Sequence, residues 1–185
     1  MKICIFPGTF NPIHIAHIKM ALFALEKYDF DKIIFIPSYI PPHKQLNANL
    51  AKHRFNMVKL AVDTNPKFEI SDIEYQSETK SYTYLTVNKI KEKYQIKDRL
   101  NMIIGTDAFL NVKTWYKADE LKDLVHFIVF PRGNDYINND EFKNYSYELI
   151  NTEKLDISST EMRIEHKGET LKEVKEYIEK NELYN

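Results

Sequence analysis

Four segments are almost continuously apolar: "KICIF" (2–6), "KIIFIP" (32–37), "LNMIIGT" (100–106) and "VHFIVFP" (125–131). That is the pattern of strands covered on both faces. "FEISDIEY" (68–75) is also β-rich and predicts one more strand. Helical spacing fills the intervals. Ile15, Ile18, Leu22 and Leu25 share one face after the first strand, Phe55, Val58 and Val62 after the second, and Val87, Ile90 and Tyr94 before "LNMIIGT". Strand and helix alternating in this order predict an α/β fold, a Rossmann-like doubly wound parallel sheet with helices on both faces.

The remainder is more polar. "YINNDEFKNYSYELINTEK" (136–154) reads as irregular surface chain leading to a last short strand, "KLDI" (154–157). Ser158 with Glu161 fits a capping box, so a helix is expected to start there. The tail reads as an amphipathic helix with Leu171, Val174 and Ile178 inward and a Glu176–Lys180 pair outside. With no linker or repeat, residues 1–185 are expected to form one domain, ending in a helical segment at about 158–181.

Charge and composition narrow the function classes. The 26 basic and 27 acidic residues nearly cancel, so no broad cationic face for nucleic acid is implied. Cys4 is the only cysteine and lies in an apolar run, which predicts an inert buried thiol and fits a reducing compartment. No stretch approaches the roughly 20 apolar residues of a membrane span. A soluble, cytoplasmic protein is expected.

The candidate chemistry begins at the end of the first strand, in "FPGTFNPIHIAH" (6–17). Ligands of open parallel sheets bind beyond the carboxyl ends of the strands. Gly8 is expected to let the chain turn tightly and a ligand approach the main chain, with Phe10 in the same loop. Asn11 as N-cap and Pro12 as first residue predict a helix start whose dipole and N–H groups favour an anion. His14 and His17 then share a face of its first turn, and Thr9 adds a hydroxyl. The positive helix end should lower both imidazole pKa values. A metal-binding pair is the competing reading, although helical zinc sites favour i,i+4 and require a third ligand. Histidines without a function are the other. A Walker loop is excluded by the missing Gly-Lys-Ser/Thr, and a dinucleotide fingerprint by the missing glycines.

Other candidates follow the other strands. Pro41 and Pro42 stiffen a loop presenting His43 and Lys44, a phosphate ligand or a solvated lysine. Gly105 and Asp107 end the fourth predicted strand, where a carboxylate can take ribose hydroxyls. Trp115, the only tryptophan, either fills a core gap or stacks on a planar ligand, with Tyr116 beside it. Tyr82 and Thr83 start a helix near the same edge, and Arg132 ends the fifth strand. "DISSTEMR" (156–163) places Ser159, Thr160 and Arg163 at a second helix start, and the arginine fork suits phosphate oxygens.

"GTFNPIHIAH" and "ISSTEMR" together resemble the signature pair of the nucleotidyltransferase superfamily, and "PPHK", "SYT" and "IGTDAF" with Trp115 are similar to its bacterial nicotinate-nucleotide adenylyltransferases. The resemblance spans nearly the whole chain except about residues 134–152. It implies transfer of AMP from ATP to nicotinic acid mononucleotide, giving deamido-NAD and pyrophosphate in NAD biosynthesis. Nicotinamide mononucleotide or phosphopantetheine as acceptor, and a non-catalytic nucleotide-binding regulator, are the alternatives. Thr9, His14, His17, Lys44 and Arg163 would be catalytic. Gly8, Thr9, Phe10, His14, His17, Gly105, Asp107, Ser159, Thr160 and Arg163 would hold ATP. Thr83, Trp115, Tyr116, Lys44 and Arg132 would hold the mononucleotide. Mg²⁺ would arrive on the ATP phosphates, with no protein side chain as ligand. Pro7, Asn11 and Ala16 depart from the family pattern. Asn11 would still cap the helix, Ala16 would keep it close to a ligand, and Pro7 would withdraw one backbone donor.

Overall fold

The computed structural model describes residues 1–41, 49–76, 80–132, 136–151 and 170–184. Strands β1 (Ile3–Gly8), β2 (Lys32–Pro37), β3 (Phe68–Ile70), β4 (Leu100–Gly105), β5 (Val125–Phe130) and β6 (Ser146–Leu149) form one sheet in the order β3-β2-β1-β4-β5-β6. Every neighbouring pair is parallel. Side chains alternate between two cores. Cys4, Phe6, Ile33 and Phe35 face one, while Ile3, Ile5, Ile34 and Ile36 face the other. The first core packs α1 (Ile15–Tyr28), α2 (Asn49–Val62) and α7 (Lys172–Lys180). The second packs α3 (Thr83–Lys93), α5 (Ala118–Leu124), and the short α4 (Thr106–Phe109) and α6 (Asn139–Phe142). The expected doubly wound α/β fold is therefore present.

Strand order reverses between β1 and β4, which opens the crevice where such sheets bind ligands. The register between them is Cys4↔Asn101 and Ile5↔Met102, so their pairing ends before Pro7. That explains how a proline, which cannot donate to a ladder, sits in a central strand.

The structure corrects several local expectations. Of the stretch expected to be irregular, the described residues 136–151 contain α6 and the edge strand β6, anchored by buried Ile137, Phe142 and Ile150. Their polarity belongs to the strand edge, where Glu148 accepts from Lys27 Nζ at 2.5 Å and the Tyr28 hydroxyl at 2.7 Å. The β-rich run after Pro66 is a strand only over Phe68–Ile70; beyond it Tyr75 N–H donates to Asp72 O at 2.7 Å and closes a turn. In α1 the buried stripe is Ile18, Met20, Ala21 and Ala24, while Leu22 is exposed. The face turned to the sheet is thus centred on the two small alanines, and Leu22 falls outside it. In α7, Val174 is buried and Leu171 and Ile178 half-buried as expected, but Glu176 pairs with Lys172 at 3.8 Å. "KLDI" and the Ser158 capping box lie outside the described residues.

Helix α1 begins at Ile15, four residues after the expected cap. The chain passes Phe10 in the left-handed region at φ 46° and a cis Asn11–Pro12 peptide before turning helical. His14 is the N-cap, and its N–H donates to His17 Nδ1 at 3.3 Å. The N3 imidazole thus takes the place of the carboxylate in an ordinary capping box. Asn11 does not cap; its Oδ1 accepts from the Tyr184 hydroxyl at 2.6 Å.

Candidate active site

A cavity of about 810 Å³ opens at the β1/β4 reversal. Its floor is the end of β1 and the first turn of α1, its far wall the segment from Gly105 to Tyr116, and its side the start of α3. Gly8, Thr9, Phe10, His14 and His17 line it from the first loop. Thr83, Gly105, Asp107, Trp115, Tyr116 and Arg132 line it from the other elements. The crevice therefore gathers all the sequence candidates that fall among the described residues. Lys44, Ser159, Thr160 and Arg163 lie outside those residues.

His14 and His17 stack with ring centroids 3.7 Å apart. The His17 ring is also wedged against Phe10 and Phe6, with centroids at 5.1 and 5.8 Å. Burial first, and then the nearby Arg132 charge, lower the His14 pKa to about 4. His17 is pushed down well below its ordinary value by burial first, then by His14 and Arg132. The lowered pKa values expected from the sequence are thus present, with desolvation and neighbouring charge as their causes, and they favour the neutral form that the sequence left open beside imidazolium. A neutral imidazole whose Nδ1 accepts carries its proton on Nε2. His17 Nε2–H is therefore the ring's remaining donor.

The glycines serve close packing rather than unusual backbone angles. A Cβ on Gly8 would stand 2.8 Å from Phe10 Cζ, so the missing side chain makes room for that ring. The left-handed residue of the loop is Phe10 itself. A Cβ on Gly105 would meet Asp107 Oδ1 at 2.6 Å and Arg132 Cδ at 3.2 Å. Asp107 is not a bare carboxylate, because Arg132 Nη1 donates to its Oδ2 at 3.1 Å. The Arg132 main chain is fixed as well: its N–H donates to Thr106 Oγ1 at 2.8 Å, and that hydroxyl returns to Arg132 O at 3.2 Å. Trp115 packs against the second core and also lines the cavity. Tyr116 stacks near Tyr82 with centroids 4.9 Å apart, giving the cavity an aromatic wall. Ala16 packs against the first core instead of facing the ligand space.

The sequence reading missed Arg54 and Glu74, two buried charged residues next to the cavity. A signal existed for Arg54: Ala51, Arg54, Val58 and Ala61 recur at helical spacing, which places an arginine on an apolar face. Among the described residues, no group of three or more His, Cys, Asp or Glu could hold a metal. No described helix is long and apolar enough to cross a membrane.

Comparison with known proteins decides what this geometry belongs to. The cytidylyltransferase-like family profile matches residues 5–165. The nicotinate-nucleotide adenylyltransferase of Bacillus subtilis is 37% identical over 191 residues, covering 99% of this chain and 98% of its own. A Fusobacterium nucleatum protein named "Probable nicotinate-nucleotide adenylyltransferase" is 41% identical, covering 97% and 98%. The chain belongs to the nicotinate-nucleotide adenylyltransferase family. In fold this member also matches Plasmodium falciparum nicotinic acid mononucleotide adenylyltransferase complexed with APC, at a TM-score of 0.76 and 23% identity over 99% of this chain and 96% of that one. A second structure of the Plasmodium protein, complexed with NaAD, gives a TM-score of 0.74 at 24% identity over 99% and 97%.

Proposed function

We propose that the protein transfers the adenylyl group of ATP to nicotinic acid mononucleotide, releasing pyrophosphate and forming deamido-NAD. The observation that carries this reading is a stacked pair of neutral imidazoles opening into the same cavity as an aromatic wall at Trp115 and Tyr116. A phosphate oxygen of the mononucleotide attacks the α-phosphorus of ATP in line, and the bond to the bridging oxygen of pyrophosphate breaks. No nucleophilic side chain is required, because phosphoryl-type transfer runs on positioning and charge stabilisation.

In this reading His17 Nε2–H and His14 donate to phosphate oxygens around the reacting phosphorus, with Thr9 beside them and Gly8 and Phe10 shaping the loop. Neutral imidazoles suit that place next to Arg132, whose charge already disfavours further cations. Gly105 and Asp107 face a ribose, and Arg132 holds Asp107 in position while serving the mononucleotide. Trp115 and Tyr116 stack on the pyridine ring, and Thr83 donates to its carboxylate, which accepts only. Lys44, Ser159, Thr160 and Arg163 are assigned to the β- and γ-phosphates by their motifs. Mg²⁺ fits the phosphate oxygens of the nucleotide, being a hard cation that favours oxygen ligands. Bound there, it supplies neutralisation of charge on the leaving pyrophosphate.

Turnover of α-labelled ATP with nicotinic acid mononucleotide, nicotinamide mononucleotide and phosphopantetheine tests the acceptor. The acid mononucleotide is expected to be used best. Equal or better use of either other acceptor would overturn that choice, and no pyrophosphate release with any would favour a nucleotide-binding regulator. Replacing Trp115 with alanine is expected to weaken mononucleotide binding about tenfold, the worth of one buried stacking surface, with ATP affinity spared. An unchanged acceptor KM in W115A would remove the indole from the site.

A further inference from the structure

Arg54 stands outside the roles assigned above, yet it is fully buried against the loops that follow β1 and β2. Its Nη1 donates to Thr9 O at 2.9 Å and Ser38 O at 2.6 Å, and its Nη2 donates to Tyr39 O at 2.8 Å. One guanidinium on α2 therefore joins the loop after β1 to the loop after β2. The same two loops are stitched by Ser38, whose N–H and Oγ donate to Gly8 O at 2.9 and 3.0 Å. Tyr39 N–H continues the chain of contacts to Ser81 Oγ at 2.9 Å, next to the start of α3. On that side the Glu74 carboxyl accepts from Thr86 Oγ1 at 2.7 Å.

Burying a cation is costly, and an apolar side chain on this face of α2 would pack at less expense. What an apolar residue lacks is a rigid fork of donors that fixes three carbonyls at once. We propose that Arg54 is a positioning residue: it holds the main chain of Thr9 at the height where the ATP phosphates lie, and acts through that loop without touching the nucleotide. The inference rests on the adenylyl-transfer reading. Its effect is local, since the next part of the loop has its own ties. The Tyr184 hydroxyl donates to Asn11 Oδ1 at 2.6 Å, and Thr170 Oγ1 donates to Ile13 O at 2.8 Å. A lysine at 54 keeps the charge and reaches one carbonyl, but it cannot hold all three.

The test is calorimetric titration of wild type, Arg54→Lys and Arg54→Met with ATP in Mg²⁺ and, separately, with nicotinic acid mononucleotide. Circular dichroism melts accompany each titration. R54K is expected to fold and to bind ATP about tenfold more weakly, with mononucleotide affinity within about twofold of wild type. R54M is expected to lose at least as much ATP affinity. ATP affinity of R54K within twofold of wild type, parallel weakening of both ligands, or failure of both variants to fold would each overturn the proposal. A wild-type protein that binds no ATP would instead sink the adenylyl-transfer reading itself, and that result is read without any variant.

Discussion

Replacing His17 with alanine is expected to lower turnover by about two to four orders of magnitude, the range for losing one preorganised donor at developing charge. The expectation rests on the state of the ring. Its Nδ1 is used by the His14 N–H at 3.3 Å, its body is wedged against Phe10 and Phe6, and burial keeps it neutral. Nothing is left to rotate or protonate before substrate arrives, so Nε2–H is aimed in advance. Alanine also removes the acceptor that caps α1, which costs about 0.5–2 kcal/mol of stability. Turnover is therefore measured at a temperature where melts show the variant folded. Asparagine at 17 offers an acceptor and a donor on a shorter stem, so H17N is expected to recover stability more than rate. A fall of less than tenfold in folded H17A would show that the ring only caps the helix.

The scaffold was readable because its signals are redundant. Continuous apolar runs such as "KIIFIP" can be satisfied only by burial on both faces, and the cores divide their alternate residues as that demands. The edge of the sheet was not readable for the same reason. β6 buries little, so its sequence carries the polar face that pairs with Lys27 and Tyr28 and resembles a loop. Tertiary partners 120 positions away define that strand, and no local pattern encodes them.

At the site, residue identities were legible but their reasons were not. Gly8 was expected to supply a turn; the turn falls on Phe10, and glycine is present because the phenyl ring occupies its Cβ position. Asn11 was expected to cap α1; the two histidines cap it between them, which frees Asn11 for Tyr184. In each case the motif marks the right residue, while the contact comes from a side chain that folds back over the loop. Arg54 shows the converse. Its partners are all main-chain carbonyls, which leave no residue-specific trace in sequence.

Acid should destabilise the unliganded protein before its carboxylates titrate, and His14 sets the window. Its folded pKa is about 4 against an ordinary 6.5, because burial and then Arg132 disfavour the imidazolium. Between those values the unfolded chain binds the extra proton, so stability falls as pH drops from 6.5 and levels off below about 4. For this one group the loss amounts to about 3 kcal/mol. In a chain of this length that corresponds to a fall in Tm on the order of 10 °C. His17, pushed the same way, adds to the loss, whereas Glu74 opposes it, since burial raises its folded pKa and favours the protonated form. The paired carboxylates Glu69 and Glu148 have lowered pKa values and act only below the ordinary carboxylate range. Thermal melts of wild type and His14→Gln from pH 7 to 4.5 separate these contributions. The glutamine variant should keep a flatter profile through that interval and converge with wild type in slope only under more acidic conditions. Identical slopes for the two proteins would mean that His14 is already protonated or freely solvated in the folded chain, and neutral-imidazole binding of the phosphates would then be untenable.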